Sequence, residues 1–447
     1  DKDDVEAIGL LKLDILGVRM QSTLSYSISE IERDLGEKVD LDSIPLDDKA
    51  TFTLIQSTKT LGLFQIESPG QRELVGKFAP STFTDLIIDI SLFRPGPVKS
   101  DMITPFLNAR QGWKSARMIH PDLASILRDT EGVVVFHEQV IEIIARMTGI
   151  SLAEADEKRR SLGDKEGQQL VCDWFFPKAT ERGYPLAVVT EVWDVLRAFA
   201  SFGFCKAHAA AFALPTYQSA WLKTHYPAPF LAGVLTHDPG MYPKRLILDE
   251  VRRCGISIAP LDINRSDRSY RIEGRERIRL ALTDVVGISS LEVDSIIAHR
   301  PFLDIADFVH RSGVSKPSAE ALLMVGAFDS LYETGLNRRD LLLHLTDLYR
   351  WSRTSTRSKL GGSQLTLGFV PPPDKTGLPA LRSDELVRNE IEYLNMDVSH
   401  HMIEFYADFL NKIGAVRSSD LLKHRSKSEV LVAGVKVALQ TPPVRSG

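Results

Sequence analysis

The sequence predicts a mostly helical protein with minor β structure, of the α+β class, and three observations predict it. Apolar residues recur at helical spacing from residue 20 onward, with Pro and Gly at the breaks. Two stretches at opposite ends, residues 8–17 and 428–447, alternate like strands instead. The 447 residues are 43% hydrophobic and 25% charged, the balance of an ordinary globular chain of roughly three domains. That balance excludes collagen, coiled-coil, mucin-like and disordered classes. Net charge is −5, so any nucleic-acid binding must come from a local basic surface rather than an overall field.

The elements follow in order. In IGLLKLDILG (8–17), Lys12 and Asp14 share one strand face and Leu11, Leu13 and Ile15 the other. His137 to Met147 places Val140, Ile141, Ile144 and Met147 on one helical stripe. Ser151 and Glu154 form a capping box that opens a helix reaching Arg159, Arg160 and the stop signal Gly163. Leu186–Ala200 is another amphipathic helix, and Pro215 should interrupt any helix through 201–227. Residues 241–280 hold ten Lys/Arg against six Asp/Glu, a basic excess opposite in sign to the whole chain, and read as a junction between domains. Residues 283–300 have the shape of a helix-hairpin-helix whose Gly287 turn can offer backbone N–H groups to a phosphate. A companion hairpin at 315–331 starts with Pro317 and ends at Gly326. Asn337 caps a helix beginning RRDLLLHLTDLYRW, 357–383 reads as a Gly/Ser/Pro-rich linker, and 428–447 as the first strands of a β-domain.

No run of about 18 apolar residues occurs, and residues 1–20 mix Asp, Lys and Glu among leucines. Neither a membrane span nor a signal peptide is expected, and the expected location is the cytoplasm. Cys172, Cys205 and Cys254 are far apart and never in a CxxC pair, so they read as reduced thiols.

Four clusters could carry chemistry. Lys12 and Asp14 suit a phosphate or metal site, or a solvated edge strand. LFRPGPVKS (92–100) presents Arg94 and Lys99 on a rigid turn, which could equally be a solvated one. Lys158, Arg159 and Arg160, followed by Lys165, could fork onto a triphosphate or simply complement a helix dipole. Gly203, Lys206 and His208 in FGFCKAHAAAFA allow close approach of a bulky group, or tight helix packing. No nucleophile triad, Walker loop or dinucleotide fingerprint is present.

With these residues quoted, the chain resembles the alpha subunits of bacterial DNA polymerase III, the C-family (DnaE-type) polymerases. The resemblance rests on GLLKLDILG, IPLDDKATFTLI, GLFQIES, LFRPGP, GVVVFHEQV, EADEKRRSLGDK, FASFGFCKAHAAAFALPTYQSAWLKTHYP, PLDINRS and GAFDSL, in the family's order. It implies a DNA-directed DNA polymerase that adds dNTPs to a primer 3′-OH, with two Mg2+ ions. Asp14 is then one metal-binding aspartate, with Lys12 beside it, and the other two ligands are expected upstream of this chain. The implied organisation is 1–20 as the end of the palm, 21–240 as fingers, and 241–350 as a basic junction with tandem helix-hairpin-helix units. A linker at 351–427 and a truncated OB-fold at 428–447 complete it. The implied nucleotide contacts are Arg94, Arg159, Arg160, Lys206 and His208. Duplex DNA falls to Lys244, Arg245, Arg275, Arg277, Arg279 and Gly287, through backbone contacts without sequence preference. Gln364, Leu367 and Phe369 resemble a sliding-clamp peptide, although Gly368 separates the last two. FQIES followed by PGQRELV, and Pro215, hint at a divergent, error-prone or translesion branch, with the main replicase and an accessory polymerase both left open by the sequence. The alternative from another class is a non-enzymatic DNA-binding and clamp-docking module.

Overall fold

The computed structural model describes residues 5, 8–10, 17–93, 103–199, 204–332, 335–358 and 373–436, without the side chains of 352–358. These belong to two compact units, one within 1–24, 39–226 and 239–241 and the other within 25–38, 227–238 and 242–447. The division falls inside helix α1 (Arg19–Glu30).

The first unit is helical because its segments carry both a cap and an apolar stripe. Asp48 opens α2 (Lys49–Gln56) by accepting the Thr51 N–H at 3.0 Å. Ser68 and Pro69 open α3 (Pro69–Phe78), and a Thr82/Asp85 capping box opens α4 (Phe83–Leu92). Helix α5 (Ile103–Arg110) follows. Helices α6 (His137–Thr148), α7 (Leu152–Ser161), α8 (Lys165–Glu181) and α9 (Leu186–Phe199) enclose one core. Val140, Ile143, Ile144 and Met147 of α6 are buried in it, so Ile143 takes the place expected for Ile141, which is half-buried. The expected capping box at Ser151 and Glu154 is formed, with Ser151 N–H donating to Glu154 at 2.9 Å.

Helix α10 (Lys206–His225) corrects the expectation that Pro215 interrupts it. A mid-helix proline costs about 3 kcal/mol through its missing N–H and its clash with the preceding turn. Here the Thr216 hydroxyl donates to the Phe212 carbonyl at 2.8 Å, supplying a donor in the turn the proline disturbs. Burial does the rest: α10 packs along α4 and α2, and Pro215, Thr216, Tyr217, Ser219 and Ala220 are all buried. The Tyr217 hydroxyl, inside that packing, donates to the Pro45 carbonyl at 2.6 Å.

In the second unit, α11 (Pro227–His237) and α12 (Lys244–Arg253) pack on a three-stranded sheet that the sequence reading missed. Strands β1 (Ser257–Ala259), β2 (Arg271–Ile272) and β3 (Arg277–Arg279) lie in the order β1-β3-β2. β3 is parallel to β1, with Ile258 opposite Ile278, and antiparallel to β2, with Ile272 opposite Ile278. Glu30 holds the sheet edge: its buried carboxylate accepts from Arg33 at 2.7 and 2.9 Å, Arg271 at 2.5 Å and the Ile272 N–H at 3.0 Å. Burial works against that charge, but these donors keep the carboxyl below its ordinary range.

The expected hairpins are present in altered form. A single 3-10 turn at Leu282–Asp284, rather than a full helix, precedes Gly287 and α13 (Ser290–Ala298). Then come α14 (Ile305–Ser312) and α15 (Lys316–Met324), with Pro317 in its first turn and Gly326 at φ 87° beyond its end. Asn337 caps α16 (Arg338–Ser358), accepting the N–H groups of Arg339 and Asp340. The segment read as a linker carries α17 (Ser383–Leu394) and α18 (Ala407–Lys412), while residues 359–372 lie outside those described. The two expected strands are not found where they can be assessed. Ile8–Leu10 form a turn, closed by the Leu10 N–H on the Val5 carbonyl at 3.1 Å with Gly9 at φ 73°, and 428–436 form no strand. Residues 11–16 and 437–447 lie outside those described. None of Cys172, Cys205 and Cys254 is in a disulfide. Among the described residues no helix is long and apolar enough to cross a membrane.

Candidate nucleotide and DNA interface

Helix α6 organises the candidate nucleotide side of the first unit. Gln139 shapes its entry: the side-chain oxygen accepts the N–H groups of Val135 and Phe136 at 2.8 and 3.0 Å, and the amide donates to Thr130 at 2.7 Å. Phe136 then bridges Phe204 in parallel β fashion, and the His137 N–H donates to the Phe204 carbonyl at 2.9 Å. Glu138, in the first turn of α6, accepts the Lys206 N–H at 2.9 and 3.0 Å and the Cys205 thiol at 3.4 Å. Burial opposes its charge, yet the N–H groups of Lys206 and Ala207 hold the carboxyl below its usual range. The Lys206 ammonium sits over the Phe136 ring, 5.5 Å from its centre. His208 is exposed and lies between Phe204 and Phe212, with ring centroids 5.1 and 4.5 Å away.

Helix α7 packs along α6 and ends in the predicted cations. Asp156 gathers two of them: Arg159 Nε donates at 2.9 Å, and Arg160 donates from Nε at 3.0 Å and Nη2 at 2.8 Å. The Arg159 hydrogen bond is the main cause of the lowered Asp156 carboxyl. Arg160 is 73% exposed and Arg159 22%, so one guanidinium faces solvent while the other is half-buried. The Lys158 ammonium lies 4.9 Å from the centre of the Trp174 ring. Two carboxylates, Asp156 and Glu157, stand against the three cations of the last turn, and the exposed Arg160 keeps guanidinium N–H groups able to donate to phosphate oxygens in forked fashion.

The candidate DNA side of the second unit is less open than the residue count suggests. Arg279 is 5% exposed, bound to Glu273 at 2.5 and 3.0 Å and to the Pro260 carbonyl at 2.8 Å. Its expected surface contact with DNA is therefore corrected: the guanidinium is a structural partner of Glu273. Lys244 is held by Asp284 at 2.5 Å and lies over the Tyr270 ring, Arg245 donates to the Lys436 carbonyl at 2.8 Å, and Arg275 pairs with Glu37. Arg277 is exposed. Gly287 is exposed at φ 85°, a conformation that favours glycine, and an added Cβ there would meet nothing within 4 Å. Behind the turn, Glu292 joins two helical units: it accepts the N–H groups of Ser289 at 2.8 Å and Ser315 at 2.9 Å. Despite partial burial, those donors pull its carboxyl from 4.5 to about 2.

Lys12, Asp14, Arg94, Lys99, Gly203, Gln364, Leu367 and Phe369 lie outside the described residues. Among the described residues no three His, Cys, Asp or Glu side chains are grouped to hold a metal ion. Sequence reasoning missed Glu138 and Asp156. Asp156 was findable, since an acid three and four residues before two arginines is a helical ion-pair signal. Glu138 was not, because its partner Lys206 is 68 residues away.

Comparison with known proteins adds the family. The bacterial DNA polymerase III alpha subunit finger domain matches residues 20–182, and a helix-hairpin-helix motif matches residues 255–341. An error-prone DNA polymerase of Symbiobacterium thermophilum is 33% identical over 492 aligned residues, covering 100% of this chain and 45% of the relative. The DNA polymerase III alpha subunits of Pseudomonas aeruginosa and Aquifex aeolicus are 32% and 30% identical, again over 100% of this chain, and it covers 41% and 38% of them. The chain thus spans less than half the length of these relatives.

Proposed function

We propose, from the premise that this chain belongs to the bacterial DNA polymerase III alpha-subunit family, that it serves template-directed DNA synthesis by gripping the incoming nucleotide and the duplex. The observation that carries this reading is the end of α7, where Asp156 aligns Arg159 and Arg160 beside Lys158. A nucleoside triphosphate is recognised there by its phosphates, which all four dNTPs share, so the grip leaves base choice to the template. Forked N–H donors fix the triphosphate and offset the charge that grows on the leaving pyrophosphate. Lys206 and His208, at the start of α10, close the same pocket. Arg94 belongs to this set and Asp14, beside Lys12, to the catalytic carboxylates.

In this proposal residues 21–240 act as fingers after a palm segment at 1–20. Residues 241–350 hold duplex DNA through Arg277, Arg275 and the Gly287 turn, and Gln364, Leu367 and Phe369 form a clamp-docking peptide. Primer extension with magnesium by a full-length polymerase carrying this segment tests the enzymatic reading. Extension is expected with Asp14 intact and is expected to vanish in Asp14→Asn; equal extension by both would remove Asp14 from the catalytic set. The helix-hairpin-helix match at 255–341 favours one second reading, a DNA-binding module without catalysis. That reading requires salt-sensitive duplex binding with no extension under any condition.

A further inference from the structure

We infer that Glu138 is a positioning residue for the nucleotide pocket: it is the cap, supplied from another helix, that fixes the start of α10 against α6. The inference rests on the nucleotide reading above. The first N–H groups of any helix lack intrahelical acceptors and must be satisfied from outside. In α10 the preceding residue, Cys205, provides no side-chain oxygen and makes no cap. Glu138 fills that place with both carboxylate oxygens on the Lys206 N–H and takes the Cys205 thiol as well.

Two neighbouring contacts make the joint stiff. The Phe204 carbonyl accepts from His137, and Phe204 is bridged to Phe136, so the two residues just before Glu138 are docked onto the chain just before α10. The Lys206 ammonium over the Phe136 ring closes the same joint from the side-chain direction. Helix α6 also carries α7 along its length. The helix bearing Arg159 and Arg160 and the helix bearing Lys206 and His208 are therefore referenced to one element, and Glu138 is the polar bond that sets α10 on it. A carboxylate near a triphosphate would ordinarily repel it. Here both oxygens face N–H donors at a helix N-terminus, where the dipole offsets their charge.

The test is steady-state primer extension by a full-length polymerase carrying this segment, read as KM for dNTP and as affinity for primed DNA. Charge-assisted hydrogen bonds of this kind are lost in Glu138→Ala, so KM is expected to rise about tenfold while DNA affinity stays within about twofold. Glu138→Gln keeps one acceptor oxygen for Lys206 and is expected to return KM to within about threefold of the unsubstituted protein. Glu138→Asp, which draws the oxygens back by one methylene, is expected to raise KM about threefold and serves if the alanine variant does not fold. Thr82→Ala removes a comparable cap on α4 and is expected to leave KM unchanged. An unchanged KM in Glu138→Ala, or in Glu138→Asp where only that variant folds, overturns the inference if Lys206→Ala raises KM. If Lys206→Ala also leaves KM unchanged while Arg160→Ala raises it, the start of α10 has no part in the nucleotide grip and this inference fails alone; if Arg160→Ala and Arg159→Ala leave KM unchanged too, the nucleotide reading fails and this inference with it. A KM rise in Thr82→Ala equal to that in Glu138→Ala would reduce Glu138 to a structural cap.

Discussion

The end of α7 and the basic stretch 241–280 look alike in sequence, each a cluster of arginines, and they differ in what the fold does with the charge. In α7 one carboxylate, Asp156, aligns two guanidiniums and leaves Arg160 largely in solvent. In 241–280 the fold sets a carboxylate against most of the cations: Glu273 against Arg279, Asp284 against Lys244, Glu37 against Arg275, and Glu30 with Asp267 against Arg271. A run of like charge in a sequence therefore measures a demand for partners as much as it measures a binding surface. Which of the two it becomes depends on acids that arrive from elsewhere, such as Glu30 and Glu37.

The largest effect that separates the two regions is on stability. Arg279→Ala removes the nearly buried partner of Glu273, which keeps Arg265 at 2.8 Å, and should destabilise the second unit by about 2 kcal/mol, measured by urea denaturation. A loss of duplex affinity with no loss of stability would return Arg279 to the DNA surface. Next comes Glu292, whose carboxyl is lowered from 4.5 to about 2 in the folded chain. Its contribution is fully present above pH 4.5 and is lost as pH falls toward 2, since protonation then becomes favourable in the unfolded chain first. Glu292→Gln should lower stability by about 1 kcal/mol at pH 7 and flatten the acid limb of a melting-temperature profile. An acid limb identical to that of the unsubstituted chain would mean that other carboxylates set it. The smallest effect belongs to Arg277. Its alanine variant should keep stability within about 0.5 kcal/mol, weaken duplex binding about threefold and reduce the slope of log affinity against log salt by about 1.

Local signals in the sequence were read correctly where the partner is close by. Ser151 and Glu154, Asn337, Pro317 and Gly326 all act within one helical turn, and each helix end falls where they place it. Signals that depend on distant partners were not legible. Pro215 reads as a break until the packing of α10 on α4 and α2 and the Thr216 hydroxyl are known. Strands of two or three residues at 257–279 are too short to set up an alternation, and their register depends on the β1–β3 pairing across the intervening loop. The helices at 383–412 follow a Gly/Ser/Pro-rich run whose composition, carried too far, hid the Glu385 and Glu390 anchors of α17. Among the candidate site residues, Arg159 and Arg160 were found from their own sequence, whereas Glu138 belongs to a contact between α6 and α10 that no local pattern announces.

The central claim is that the end of α7 grips the triphosphate, and the most direct test is KM for dNTP in a full-length polymerase carrying Arg160→Ala, with stability measured in parallel. Removing an exposed guanidinium that forks onto phosphate should raise KM about tenfold while stability stays within about 0.5 kcal/mol. An unchanged KM in both Arg160→Ala and Arg159→Ala would contradict the claim and leave these arginines as partners of Asp156 alone.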